Sequence, residues 1–206
     1  MDNLYEQTSD IRIGAFILAA GKSERFGAPK VLQFFKGSLF LTRIGKNLQA
    51  VGIERPVLVL GYQAQNILPR ISRADAFNVV VNRDFEKGMF TSVQAAIKAL
   101  AKSVDGALLC LIDQPHIRLG TYRRLMQSAL ARPETIIIPT FQQRGGHPVY
   151  LPASLFASII RANAHTTLKD ILNRHRTLQW RVAVDDSGIL EDIDLPEDLI
   201  RLEKMF

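Results

Sequence analysis

A chain of 206 residues, 47% hydrophobic and 22% charged, is long enough to bury a core without covalent staples. Its one cysteine, Cys110, excludes an intramolecular disulfide and a multi-cysteine zinc site, and no apolar run has membrane-spanning length. The net charge of +6 favours anionic ligands, a triphosphate or a nucleic acid, but the basic residues are scattered and not interleaved with aromatics.

The first twelve residues are polar and carry Asp2, Glu6 and Asp10, unlike the basic start and apolar centre of a secretion signal. Residues 1–11 are expected to form a flexible tail and the protein to be cytoplasmic, with no membrane partner. Ile13–Leu18 then reads as a buried strand. Phe40–Val51, with Leu41, Ile44 and Leu48 at helical spacing, reads as a helix. Pro56–Gly61 is a second strand, Ala64–Ile71 a short helix, Phe77–Val81 a third strand and Thr91–Ala101 a helix. Ala107–Ile112 is a fourth strand, in which Cys110 is expected to be buried. Thr121–Ala131 reads as a helix and Thr135–Pro139 as a strand. Beyond Pro139 the pattern weakens: His147–Leu151 and Gln179–Val184 are strand candidates, and Ala153–Ile160 and Thr167–Arg174 helix candidates. Pro196–Met205 closes the chain as a helix with proline in its first turn.

Continuous apolar strands alternating with amphipathic helices predict an α/β fold: a three-layer α/β/α sandwich around a Rossmann-like, mostly parallel sheet. No linker, repeat or low-complexity stretch interrupts residues 1–206, so one domain is expected. Ligands of such sheets sit beyond the carboxyl ends of the strands. Those ends run into Ala19-Ala20-Gly21, Gly61, Asn82-Arg83-Asp84 and Asp113-Gln114-Pro115.

The turn after the first strand, Ala19 to Lys30, combines small residues and two glycines with Ser23, Arg25 and Lys30. Its backbone can approach a ligand closely, consecutive N–H groups can cradle an anion, and the cations suit phosphate. Gly21-Lys22-Ser23 is not a P-loop, since Phe16 stands where that motif needs glycine, and the dinucleotide fingerprint is absent too. Asp113 ends an apolar strand, so its carboxylate is expected in the crevice, with a turn or cap residue as the alternative. Asp192, Asp194, Glu197 and Asp198 cluster ahead of the last helix. Asp194 is placed either as a ligand or as an N-cap in a capping box with Glu197. Gly145 and Gly146 beside His147 suggest a close backbone approach to a ligand such as a second phosphate. His116, His165 and His175 lack metal-ligand spacing.

Leu18-Ala-Ala-Gly-Lys-Ser-Glu-Arg-Phe-Gly-Ala-Pro-Lys30 resembles the nucleotidyltransferase signature Leu-Ala-Ala-Gly-x-Ser/Thr-x-Arg-Phe/Met-Gly-x-x-Lys. The branch it resembles is the molybdenum cofactor cytidylyltransferase and guanylyltransferase group, within the nucleotide-diphospho-sugar transferase type of fold. Val81-Asn82, Lys87 to Ser92, Leu111 to Pro115, Arg144 to Val149 and Asp192 to Leu199 match that branch in the same order, so the likeness runs from Ile13 to Leu199. Phe90 is bulkier than the branch's usual residue, which puts base or acceptor fit in question, and Phe34 to Leu39 is less polar than usual.

The resemblance implies an enzyme that transfers a nucleoside monophosphate from an NTP, CTP slightly ahead of GTP, to a phosphorylated acceptor, with Mg²⁺ and release of pyrophosphate. Molybdopterin or its molybdenum-loaded form is the implied acceptor, and a molybdoenzyme a possible partner. Ala19, Ala20, Gly21 and Ser23 would hold base and phosphates, with Ser92 and Gly61 on either side of the base. Arg25 and Lys30 would neutralise the phosphates. Asp113, with Asp194 or less readily Asp192, would hold the metal, and His147 would line the acceptor pocket. Three other readings stay open: a cofactor-carrying maturation chaperone without turnover, a transferase for sugar or alcohol phosphates, and, from charge alone, a nucleic-acid binder.

Overall fold

The computed structural model describes residues 11–71, 73–163 and 165–206, so the expected tail lies, apart from Ile11, outside the described residues. One sheet of eight strands organises the chain. Its strands are β1 (Ile13–Ala19), β4 (Val57–Leu60), β5 (Asn78–Val81), β6 (Gly106–Leu111), β7 (Ile136–Phe141), β8 (Arg144–Gly145), β9 (Val149–Pro152) and β10 (Gln179–Ala183). Across the sheet the order is β10-β7-β9-β6-β1-β4-β5, with β8 paired to β7. β1 is parallel to both β4 and β6, β4 to β5, and β7 to β10. β9 runs antiparallel between β6 and β7, so the sheet is mixed but mostly parallel.

Alternation along each strand supplies both faces. Ala15 and Ile17 of β1 turn to one side with Leu58, Leu60, Leu108 and Cys110; Phe16 and Leu18 turn to the other with Val57, Val59, Ala107 and Leu109. Helices α1 (Phe40–Gln49), α2 (Ala64–Ile67), α4 (Leu119–Ala131) and α7 (Pro196–Met205) cover the first face through Phe40, Ile44, Leu48, Ile67, Leu125 and Leu202. Helices α3 (Met89–Leu100), α5 (Phe156–Arg161) and α6 (Leu168–Arg174) cover the second through Val93, Ile97, Phe156, Ile159 and Ile171. This is the three-layer sandwich that the apolar pattern predicts. Phe90 also lies in the second core, 5% exposed, and so belongs to packing rather than to ligand fit as its bulk had suggested.

Local chemistry sets several boundaries. Phe34–Phe35 (β2) and Ser38–Leu39 (β3) pair as a small hairpin that the apolar pattern does not announce. Lys36 and Gly37 make its two-residue loop with φ of 47° and 73°, both left-handed, as tight hairpins require. Thr167 caps α6 by accepting from the Asp170 N–H, while Asp170 accepts from the Thr167 N–H in return. At α7 the reciprocal acid is Asp198, not Glu197: its carboxylate accepts from the N–H groups of Asp194 (3.1 Å) and Leu195 (2.9 Å). Leu195 is the N-cap residue, which leaves the Asp194 side chain free for other work.

The stretch from Val184 to Asp194 ties the two halves of the sheet together. The Val184 N–H donates to Thr140 O, the His147 N–H to Ile189 O, and the Ile193 N–H to Asp113 O. Asp186, 2% exposed, accepts from the Thr121 hydroxyl (2.7 Å), the Arg118 N–H (2.9 Å) and the Gly188 N–H (3.1 Å). Gly146 passes so close that an added Cβ would overlap the Ile189 carbonyl oxygen, a backbone atom that cannot rotate aside. Gly146→Ala is expected to lower the unfolding free energy by about 1–3 kcal/mol, the usual range for overpacking. Urea unfolding of the two proteins checks this; coincident midpoints would show that the two backbone segments separate freely.

Candidate functional site

From β1 the chain moves outward to β4 and β5, then returns to β6 on the other side of β1. That reversal opens a crevice at the carboxyl ends of β1 and β6, the position where open α/β sheets take ligands. A cavity of about 680 Å³ lies there. The loop from Ala19 to Lys30, the Ser92 end of α3, Asp113, His147, Asp192 and Asp194 all border it.

The loop is shaped by Ser23 and Gly27, both at positive φ (53° and 79°), with the N–H groups of Phe26 and Gly27 bonded to Ser23 O. Within that turn the N–H groups of Gly21, Lys22, Ser23, Glu24 and Arg25 meet no acceptor among the described residues, and all five residues line the cavity. Consecutive free N–H groups of this kind form a concave anion site. Lys30 sits at the far end of the loop on a short turn, its N–H directed to the Ser23 hydroxyl oxygen (3.5 Å).

Lys30 is the centre of the charged floor. Its Nζ lies 2.7 Å from Asp194 Oδ1 and 3.2 Å from Asp113 Oδ2, and its side chain is 10% exposed. Arg25, largely in solvent, reaches the second oxygen of Asp194 at 2.9 Å. Asp113 Oδ1 is buried and accepts no hydrogen bond among the described residues. The turn carrying Asp113 is pinned from α1, since Arg43 donates to Pro115 O and Asn47 to Ile117 O, both at 3.0 Å.

Neighbouring charges move these groups in opposite directions. The Lys30 hydrogen bond, aided by the charges of Lys30 and Arg25, holds the Asp194 carboxyl below its ordinary value against the cost of burial. Burial and then the Asp113 charge push the Asp192 carboxyl up, although Gln114 donates to Asp192 Oδ1 at 3.0 Å. Burial pushes His147 down, with Asp113 opposing, so its imidazole is neutral at pH 7. Among the described residues no three His, Cys, Asp or Glu side chains converge as a complete metal cage.

Arg25, Lys30, Asp113, Asp194, His147, Ser92 and the Ala19–Ser23 backbone, separated along the chain, thus share one cavity. Gly61 stands behind its wall: an added Cβ would lie 2.7 Å from Ala20 O and 2.8 Å from Phe85 Cβ, so the close approach is to the protein itself. Sequence reasoning had no role for Gln114, although the Asp-Gln-Pro triplet contains it, nor for Phe85 and Met89, which line the same cavity. Phe85 stands in a short turn and Met89 at the first position of α3, where a single apolar residue carries no periodic signal, which is why these two were missed.

The chain is a nucleotidyltransferase with the nucleotide-diphospho-sugar transferase fold. Residues 15–178 match the MobA-like NTP transferase domain, and the chain belongs to that family. It is 26% identical to the molybdenum cofactor cytidylyltransferase of Escherichia coli (strain K12), covering 94% of this chain and 97% of that protein. It is 29% identical to the nicotine blue oxidoreductase of Paenarthrobacter nicotinovorans, covering 90% and 94%. Rv0371c of Mycobacterium tuberculosis H37Rv superposes with a TM-score of 0.81 at 27% identity, covering 94% of this chain and 98% of that one. No helix among the described residues is long and apolar enough to cross a membrane.

The opposed shifts have opposite consequences for stability. Asp194, depressed in the fold, contributes stability above its ordinary value that is lost as pH falls through the folded value. Asp192, raised in the fold, opposes folding once ionised, and the penalty vanishes as pH falls through its ordinary value. Asp192→Asn retains an acceptor for Gln114 and removes the charge. In metal-free buffer it is expected to melt higher than wild type at pH 7, with the gain shrinking toward pH 4. A lower melting temperature at pH 7 would mean that the ionised carboxylate is a net support of the fold.

Proposed function

We propose that this protein is a Mg²⁺-dependent nucleotidyltransferase that transfers a nucleoside monophosphate from an NTP to a phosphorylated acceptor. CTP is placed slightly ahead of GTP, and molybdopterin or its molybdenum-loaded form is the acceptor. The observation that carries the reading is Lys30 held between Asp113 and Asp194 beneath a loop of free N–H groups. The choice of base and acceptor leans on the name of the Escherichia coli relative.

Nucleotidyl transfer asks little covalent chemistry of a protein; it asks for charge compensation and in-line alignment. An oxygen of the acceptor's phosphate forms a bond to the α-phosphorus. The bond from that phosphorus to the oxygen bridging to the β-phosphorus breaks, and pyrophosphate leaves with the electron pair. Backbone N–H groups from Gly21 to Arg25 and the Ser23 hydroxyl hold the phosphates, while Ala19, Ala20, Gly61 and Ser92 shape the base end. Arg25 and Lys30, each ion-paired to Asp194, exchange carboxylate oxygens for phosphate oxygens as the triphosphate enters. Neutral His147 offers a hydrogen bond to the acceptor without adding charge.

The donor set fits Mg²⁺, which takes one or two carboxylates and fills its remaining positions with water and phosphate. Asp113 Oδ1, buried without a hydrogen bond among the described residues, is an oxygen of the kind that ion requires. Asp113 and Asp194 would hold it, and it would supply charge compensation for the triphosphate and the leaving pyrophosphate. A single domain working in the cytoplasm, in contact with a molybdoenzyme that receives the product, completes the reading.

The test is pyrophosphate release by purified protein with Mg²⁺, each of the four NTPs, and a panel of molybdopterin, its molybdenum-loaded form and sugar or alcohol phosphates. Acceptor-dependent release with one NTP is expected. Asp113→Asn is expected to lower turnover by at least about 100-fold while weakening NTP binding far less, because charge compensation matters most in the transition state. Turnover at the wild-type rate in that variant would remove Asp113 from the metal role. Tight nucleotide binding without release for any acceptor would favour a carrier.

A further inference from the structure

Three of the residues that line the cavity, Phe85, Met89 and Ser92, carry no formal charge. Ser92 belongs to a buried polar knot with Asn82 and Thr91, each less than 7% exposed. The Asp84 N–H lies 2.9 Å from the amide atom Oδ1 of Asn82. A backbone N–H can only donate, so that atom is the carbonyl oxygen and the orientation of the Asn82 amide is decided. Its Nδ2 then spends its two hydrogens on Thr91 Oγ1 (2.8 Å) and Ser92 Oγ (2.9 Å). Thr91 passes its own proton to a backbone carbonyl, Gly88 O at 2.8 Å or Asp84 O at 3.0 Å. Ser92 accepts from Asn82, and among the described residues its hydroxyl donates to nothing.

We infer that Asn82 is a positioning residue: by donating to Ser92 Oγ from behind, it commits the Ser92 proton to the cavity, where it donates to an acceptor atom on the nucleoside of a bound NTP. The inference rests on the proposed nucleotide binding and deepens it. In the proposed binding Arg25, Lys30 and the loop N–H groups take the phosphates, which leaves the uncharged Phe85, Met89 and Ser92 to the nucleoside. A base presents ring nitrogen or carbonyl lone pairs there, and a ribose its oxygens. Had the acid stood at position 82, the carboxylate would take the Ser92 proton and turn a lone pair toward the ligand instead.

The test is calorimetric titration of wild type, Ser92→Ala, Asn82→Asp and the double variant with CTP, GTP and pyrophosphate, all with Mg²⁺. Each single variant is expected to weaken the NTP that wild type binds by about fivefold, the effect of one neutral hydrogen bond. The double variant should be no weaker than Ser92→Ala, because both changes remove the same proton from the cavity. Pyrophosphate, which has no nucleoside, should bind all four proteins alike. Independent, multiplying losses, or an equal loss for pyrophosphate, would overturn the role of Asn82 and leave the nucleotide reading standing. Wild type that binds pyrophosphate but no NTP would overturn both. If Asn82→Asp does not fold, Asn82→Ala takes its place in the same cycle, with the same two outcomes deciding.

Discussion

One buried ammonium holds the site together. Lys30 lies 83 residues from Asp113 and 164 from Asp194 along the chain, yet it touches both. Carboxylates gathered at a sheet end repel one another and lose hydration, and either cost alone raises their pKa or drives them apart. With the Lys30 ammonium between them Asp194 is held ionised, while burial and the Asp113 charge push Asp192 the other way against the Gln114 amide. A buried ion pair is seldom a net gain for stability. Its persistence here is better understood as a charge arrangement in waiting, in which the same groups regroup around a more highly charged ligand.

The rest of the molecule exists to bring those three segments to one place. The parallel order β4-β1-β6 sets the loop after β1 beside the turn after β6. The Val184–Asp194 stretch then returns across the sheet, fastened to Thr140, His147 and Asp113 by backbone hydrogen bonds and to α4 by Asp186. Small residues at the crossings, Gly61 against Ala20 and Gly146 against Ile189, let backbones meet where any side chain would hold them apart. The precision of the site is therefore inherited from backbone contacts, such as the Ile193 N–H on Asp113 O, that fasten the segments carrying these side chains to the sheet.

The cavity also offers two kinds of lining. Free N–H groups and cations line it, and so do the uncharged Phe85, Met89 and Ser92. A ligand with a highly charged tail and a flat polar head matches both kinds at once. The chain's relatives include a cytidylyltransferase and an oxidoreductase by name, and one fold can host different chemistry through the loops at its strand ends.

The layered α/β architecture was legible in the chain itself, because a buried parallel strand must be apolar on both faces and its covering helix on one. Ile13–Ala19, Val57–Leu60 and Gly106–Leu111 carry that mark, and the turn after the first of them has the glycines and cations that the proposed phosphate site needs. The Phe34–Leu39 hairpin and the antiparallel insertion of Val149–Pro152 were not legible as such. Two-residue strands have no period to read, and strand direction depends on which neighbours the chain finds. Likewise the acids around residue 194 looked equally suited to capping a helix and to holding a cation. Tertiary structure decided between them by giving the cap to Asp198 and the Lys30 ammonium to Asp194, since only the folded chain fixes which oxygen lies within hydrogen-bonding reach of which proton.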